Sequence, residues 1–239
     1  MPRVFSPLPP DGGDTFPITG EDARHLALSL RMKVGDAVTV CDGLGMEASC
    51  VIEAVTPGLL TVRVLDIRES AAEPPVSVTL CVALGKADKF EWVLQKGTEL
   101  GAAAFRPFLS ERCISKPSDA ARKLERWNKI VREASMQSGR GILPTVYALV
   151  PFREAVEQTP GTRRCLCHGA ASIGLTGALD GITGACALFT GPEGGFTPAE
   201  VQAAVQSGIV PVSLGPRTLR CETAPIAALA VVMSKIGNM

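Results

Sequence analysis

Leu188-Phe189-Thr190-Gly191-Pro192-Glu193-Gly194-Gly195-Phe196 runs from an apolar stretch into a glycine turn. Ser213-Leu214-Gly215-Pro216-Arg217-Thr218-Leu219-Arg220 repeats that design downstream. Each stretch leads into a helical pattern. Strand, glycine turn and helix in succession build an α/β sheet, whose ligand crevice lies at the carboxyl ends of the strands. The two Gly-Pro turns are therefore read as walls of one small-molecule site, with ordinary tight turns as the alternative. After the Gly194-Gly195 turn, Thr197 is expected as N-cap, Pro198 as the first helical residue and Glu200 as the third position of a capping box. Phe196 is expected to pack on Val201 as a hydrophobic staple. Such a helix start holds the backbone donors of the turn in place.

Several chemistries are excluded. No Gly-Lys-Ser or Gly-Lys-Thr follows the glycines, and no Gly-x-Gly-x-x-Gly opens a βαβ unit. There is no Gly-x-Ser-x-Gly elbow, and Glu193 stands alone in its loop, which argues against hydrolysis by paired carboxylates. Cys165-Leu166-Cys167-His168 invites a metal reading. No second Cys/His pair lies at ligand spacing, and the two cysteines are expected to face opposite ways along a strand, so no metal is expected. His168-Gly169 ends that strand as either a cap to the crevice or a simple turn. Arg220 is open to two roles, holding a substrate phosphate or base oxygen, or pairing with Glu193 or Glu222. His25 is read equally as a structural histidine or an RNA contact.

The 239 residues carry 24 Lys and Arg against 24 Asp and Glu, but the balance is uneven. Residues 1–70 have six basic against ten acidic residues, while residues 81–140 have twelve against seven. A basic middle segment is what a protein touching phosphate over a limited footprint would show; a solvated helical surface would show the same. Eight scattered cysteines, with Cys81, Cys186 and Cys221 in or beside apolar runs, read as free thiols in a reducing cytoplasm. No signal peptide or membrane-length apolar run is apparent, so no membrane segment is expected.

Residues 1–70 read as a β-rich domain, with strands at 37–41, 48–52 and 59–65, a turn at Asp42-Gly43-Leu44-Gly45, and a helix from Glu21 to Leu30. The polar and then proline-rich run from Arg68 to Pro75 marks a boundary. Residues 76–239 read as the second domain. It opens with a strand at 76–84, a helix from Asp88 to Leu100 and a strand at 103–109. A long amphipathic helix from Asp119 to Ser138 follows, with Leu124, Trp127, Ile130, Val131 and Ala134 on its apolar face. Further strands are expected at 164–168, 184–190 and 209–214.

Taken together, these stretches resemble the bacterial 16S ribosomal RNA N3-uridine methyltransferases, a family within the knotted (SPOUT-type) S-adenosylmethionine-dependent methyltransferases. The resemblance rests on His25-Leu26-Ala27-Leu28-Ser29-Leu30-Arg31, Leu84-Gly85-Lys86-Ala87-Asp88-Lys89, Gln95-Lys96-Gly97-Thr98-Glu99-Leu100-Gly101 and Pro107-Phe108-Leu109-Ser110-Glu111-Arg112. It continues through Glu125-Arg126-Trp127, Glu133 to Arg140, Gly191 to Phe196 and Leu214 to Ala224, covering nearly the whole chain in order. Cys221 stands where the family more often has another small polar residue.

The resemblance implies an α/β fold with a C-terminal α/β-knot methyltransferase domain, its end tucked into a deep trefoil knot, and an N-terminal PUA-like β-barrel that binds RNA. It also implies a homodimer, S-adenosyl-L-methionine as cofactor, and 16S rRNA of the small ribosomal subunit as partner. His168, Gly169, Leu188, Thr190, Gly191, Pro192, Gly194, Gly195, Leu214, Gly215, Leu219 and Arg220 are the expected cofactor-binding positions. Arg220, Arg217 and Glu193 are the expected catalytic residues. Arg3, Arg24, Arg31, Arg112, Lys116, Arg122, Lys123, Arg126 and Arg140 are the expected RNA contacts. The rival readings are a non-catalytic RNA-binding or assembly factor of the same fold, and a knotted methyltransferase acting on another rRNA or tRNA base.

Overall fold

The computed structural model describes residues 1–9, 14–85, 87–114 and 120–239. Lys116 and Asp119 lie outside these residues. The chain divides into two compact units: Met1–Glu73 with Ser135–Leu143, and Pro74–Ala134 with Pro144–Met239.

The first unit is a curled five-stranded sheet. Its strands are β1 (Arg3–Phe5), β2 (Thr15–Thr19), β3 (Ala37–Cys41), β4 (Met46–Thr56) and β5 (Leu59–Glu69), in the order β1-β3-β4-β5-β2. Only the β1–β3 pairing is parallel. Register shifts at Ser49/Cys50 and Ile52/Ala54 interrupt the long β4–β5 ribbon, and such irregularities bend and twist a strand. Alternate residues fill the core, among them Val38, Val40, Ile52, Leu60 and Val62. β1 and β2 escape the sequence pattern because β1 is three residues long and β2 carries Pro17, which reads as a breaker. The expected single helix is α1 (Gly20–Arg24) running on into a π-helical turn over His25–Ser29. It ends at Arg31, a non-glycine residue with φ of 53°.

Ion pairs centred on Glu47 and Glu73 knit this unit together. Arg3 Nη1 donates to Glu47 Oε2 at 2.8 Å, and Arg68 Nε donates to Glu47 Oε1 at 2.9 Å. Arg140 is 3% exposed and closes on Glu73 at 2.6 Å. The same carboxylate accepts the backbone N–H groups of Gly141 and Ile142. Glu73 thus anchors Ser135–Leu143 to the end of the first unit.

The second unit is built on a seven-stranded, all-parallel sheet. Its elements are β6 (Ser77–Ala83), α2 (Ala87–Glu99), β7 (Ala104–Leu109), α3 (Ala120–Ser138, which ends in the first unit), β8 (Thr145–Val146), β9 (Val150–Pro151), α4 (Phe152–Gln158), β10 (Arg163–Cys167), α5 (Leu175–Ala178), β11 (Ala185–Thr190), α6 (Pro198–Gln206), β12 (Val210–Val212) and α7 (Thr223–Lys235). The strand order is β12-β10-β11-β6-β7-β8, with β9 also paired to β7. Parallel sheets are covered on both faces, and here Val78, Leu80 and Val82 enter one core while Cys81 and Ala83 enter the other. The same alternation corrects the expectation for the cysteines. Cys165 and Cys167 share one face and Leu166 takes the other, as a side-chain period of two requires. The short elements α4, α5, β8 and β9 carry too few periodic residues to be read from sequence.

Sheet order positions the site. The sheet grows from β6 to β7, and the chain then returns to place β11 on the other side of β6, with β10 and β12 beyond it. The carboxyl ends of β10, β11 and β12 therefore gather beside that of β6, at a reversal of strand order where open α/β sheets bind ligands. The apolar α7 packs against α2, α5, β6 and β11.

Candidate active site

A cavity of about 600 Å³ opens at these strand ends, within the range of small-molecule sites. It is lined by Lys89, Cys167 to Gly169, Thr190 to Glu193, Gly195, Phe196, Leu214 to Cys221 and Ala224. The loops after β10, β11 and β12 form its walls, as the pairing of the two glycine turns suggested.

Local chemistry shapes each wall. Gly195 N donates to Pro192 O at 2.8 Å, closing a tight turn in which Gly195 has φ of 67°. A Cβ at Gly191 would stand 3.2 Å from the Phe196 ring, so a larger residue there would press on it. The helix start is formed as the sequence predicts: Glu200 N donates to Thr197 Oγ1 at 3.3 Å and Thr197 N donates to Glu200 Oε2 at 2.8 Å. Phe196 and Val201 lie in one apolar cluster. Glu200 does more than the sequence indicated, since it also accepts Glu111 N at 2.9 Å and Ser110 Oγ at 3.2 Å, joining the end of β7 to α6. In the other wall, Gly215 has φ of 106° and its N–H donates to Ser213 Oγ. The Arg220 carbonyl accepts from Thr223 N and Ala224 N at 2.9 Å each, turning the chain into α7.

The glycines test whether this cavity suits the expected cofactor. A Cβ built at Gly169, Gly195 or Gly215 meets nothing within 4 Å. Each of these residues leaves its backbone open where it lines the cavity. Backbone left accessible by these glycines around a partly apolar space of this size fits a ligand carrying a purine, a ribose and an amino acid. Among the described residues there is no cluster of three or more His, Cys, Asp or Glu able to hold a metal.

Of the expected cofactor positions, His168, Gly169, Thr190, Gly191, Pro192, Gly195, Leu214, Gly215, Leu219 and Arg220 line the cavity. Leu188 does not; it lies inside β11, registered between Leu80 and Cys165 with its side chain in the core. Gly194 is set back from the cavity, and its carbonyl accepts Arg112 Nη1 at 2.8 Å.

The expected catalytic residues Arg217, Arg220 and Glu193 line the same space. Lys89 joins them, a residue the sequence did not single out. Its Nζ lies 2.9 Å from Glu193 Oε1, 3.4 Å from Glu222 Oε2 and 3.5 Å from Cys221 Sγ. The Lys89 hydrogen bond holds the Glu193 carboxyl below its ordinary value. Glu222 is lowered too, first by its own backbone N–H and further by Cys221 and Lys89. Burial, reinforced by the bond to Glu222, pushes the Cys221 thiol up to about 12. Both carboxylates are thus ionised and the thiol neutral near pH 7. Among the described residues no ion pair joins Arg217 or Arg220 to Glu193 or Glu222, so the ion-pair alternative for Arg220 falls to Lys89.

The expected RNA contacts divide. Arg24 and Arg31 are exposed on the first unit, as is Arg122 on α3, where Lys123 is half-buried. Arg126 is exposed but engaged, its guanidinium meeting both Glu91 oxygens at 2.6 and 2.7 Å. Arg3 and Arg140 are structural cations in the ion pairs above, and Arg112 is turned onto the glycine loop. A basic residue in sequence carries no mark of whether its partner is a phosphate or a distant carboxylate.

Comparison with known proteins agrees with this geometry. Residues 72–233 match the model of an RNA methyltransferase domain and residues 18–65 that of an RNA methyltransferase PUA domain. The chain is 37% identical over 228 residues to the ribosomal RNA small subunit methyltransferase E of Bacillus subtilis, covering 91% of this chain and 89% of that one. It is 40% identical over 223 residues to the protein of the same name from Synechocystis, covering 91% and 72%. The crystal structure of a ribosomal RNA small subunit methyltransferase E from Neisseria gonorrhoeae bound to S-adenosyl methionine superposes with a TM-score of 0.89 at 33% identity, over 98% of this chain and 97% of that one. With a matching fold, two glycine-walled loops on one cavity and relatives aligned along almost its full length, this chain belongs to the ribosomal RNA small subunit methyltransferase E family.

Proposed function

We propose that the protein transfers a methyl group from S-adenosyl-L-methionine to N3 of a specific uridine in the 16S rRNA of the small ribosomal subunit. The observation that carries this reading is the cavity whose backbone is opened by Gly169, Gly195 and Gly215 and whose rim carries Arg217 and Arg220. His168, Thr190, Gly191, Leu214 and Leu219 would hold the cofactor, which supplies an electrophilic methyl group when bound.

The protein's own task is to make N3 nucleophilic. The N3 proton of uracil has a pKa far above neutral, so the base must be held in a form close to its anion. Arg220 and Arg217 stabilise the charge that develops on the uracil oxygens. Glu193 is held ionised by Lys89, which makes it a weak base and assigns it to orientation. Enclosure by the loop walls sets the angle at which the base is presented.

Residues 1–70 act as a PUA-like β-barrel that grips RNA, and residues 76–239 as the α/β-knot methyltransferase domain. The matches to both domain models support this division, as does the placement of α7 behind β6 and β11. The enzyme works as a homodimer in the cytoplasm. Arg24, Arg31, Arg122 and Lys123 position phosphates.

Incubating the protein with labelled S-adenosylmethionine and small subunits lacking the modification, then mapping the methylated nucleotide, tests the proposal. A single N3-methyluridine in 16S rRNA is expected. Label on another base or another RNA would overturn it.

A further inference from the structure

Lys89 occupies the first turn of α2, and its ammonium meets two carboxylates from separate stretches of chain. Glu193 belongs to the glycine turn after β11, and Glu222 stands at the start of α7. The third neighbour, the Cys221 thiol, itself lies 3.2 Å from Glu222 Oε2. Of the three N–H donors of an ammonium, Glu193 and Cys221 accept hydrogen bonds, and Glu222 stands within ion-pair distance. The segment just past β6 also borders the cluster, since a Cβ on Gly85 would stand 3.3 Å from Glu193 Oε1.

We infer that Lys89 is a positioning residue of the methyl-transfer site: one ammonium, shared by Glu193 and Glu222, ties both glycine-loop walls of the cavity to α2. The inference rests on the cofactor reading given above. With its ammonium engaged by protein groups, Lys89 acts through the loops. Without it, Glu193 and Glu222 lose their shared counter-charge, and their repulsion drives the walls apart. The same uncompensated charge opposes the uracil anion that Arg217 and Arg220 are there to stabilise.

The inference is tested with the full-length protein through Lys89→Met, Lys89→Arg and the double variant Lys89→Met/Glu193→Gln. The readouts are S-adenosylmethionine affinity by calorimetry without RNA, and single-turnover methyl transfer at saturating cofactor. Lys89→Met is expected to weaken cofactor binding by about tenfold or more, a coupling typical of residues in one network. Lys89→Arg, which keeps the charge, should stay within about threefold of the parent, and Glu193→Gln should recover about threefold in the Lys89→Met background by removing one repelling carboxylate. Gly85→Ala, which presses on Glu193 without touching the charges, should weaken cofactor binding in the same direction and serves if Lys89→Met does not fold.

Unchanged cofactor affinity in a folded Lys89→Met protein overturns the inference. So does a loss confined to the transfer rate that neither Lys89→Arg nor Glu193→Gln relieves, since that pattern belongs to a direct substrate contact. Either result leaves the proposed function standing if the parent protein methylates 16S rRNA. A parent protein that binds no S-adenosylmethionine overturns the proposed function itself.

Discussion

The guanidinium of Arg112 donates to the Gly194 carbonyl at 2.8 Å, and its aliphatic stem lies 3.3 Å from where a Gly194 Cβ would stand. A surface arginine expected to read phosphate is therefore a clamp on the glycine turn. Arg112→Ala should weaken S-adenosylmethionine binding by roughly three- to tenfold, the worth of one charge-assisted hydrogen bond at an exposed site. The salt dependence of RNA binding should stay as in the parent. Calorimetry together with a salt titration of RNA affinity checks both halves.

Arg220 should behave differently. It lines the cavity without an ion-pair partner among the described residues. Arg220→Ala is expected to keep cofactor affinity within a few fold but to slow single-turnover transfer by roughly 10²–10³, the cost of one lost electrostatic donor. Raising the pH should recover part of that loss by favouring the uracil anion. A collapse of cofactor binding with a normal rate at saturation would make it a cofactor residue.

Arg140 tests the structural cations. It is 3% exposed and bound to Glu73 at 2.6 Å, so Arg140→Ala leaves an uncompensated carboxylate in a partly buried place. About 3 kcal/mol of stability should be lost in urea denaturation.

Arg122 and Lys123 are expected RNA contacts on α3. Replacing both with neutral residues should lower RNA affinity and flatten its salt slope by about 1 to 2. Arg126→Ala should change the slope less, because Glu91 already neutralises that guanidinium. An unchanged slope in the double variant would return α3 to an ordinary solvated surface.

Acid stability provides a further check on the ion pairs. Burial pushes the Glu47 carboxyl up, but hydrogen bonds from Arg3 and Arg68 outweigh it and leave the group below its ordinary 4.5. Glu193 and Glu222 are lowered as well. A carboxyl depressed on folding contributes stability above its unfolded value and loses it as pH falls through the folded one. Denaturation midpoints should therefore drop below about pH 4.5, and Glu47→Gln should flatten that decline.

The order of strands, glycine turns and helices was legible along the chain because each is a local pattern. Alternation marks β3, a continuous apolar run marks β11, and Thr197-Pro198-x-Glu200 spells its own helix cap within four residues. The cavity's glycines were legible for the same reason, since a turn of left-handed backbone at Gly195 or Gly215 announces itself by composition. Which charge meets which was left to tertiary structure. Lys89 finds Glu193 and Glu222, Arg140 finds Glu73 and Arg3 finds Glu47 across long stretches of chain, and no periodicity encodes such encounters. The attachment of Ser135–Leu143 to the first unit is of that kind. A helix pattern runs unbroken through α3 to Ser138, and only the burial of Arg140 against Glu73 shows where the end of that helix belongs. Short-range sterics and hydrophobic period decided the elements, and long-range pairing of charge decided which arginines and lysines are held in ion pairs.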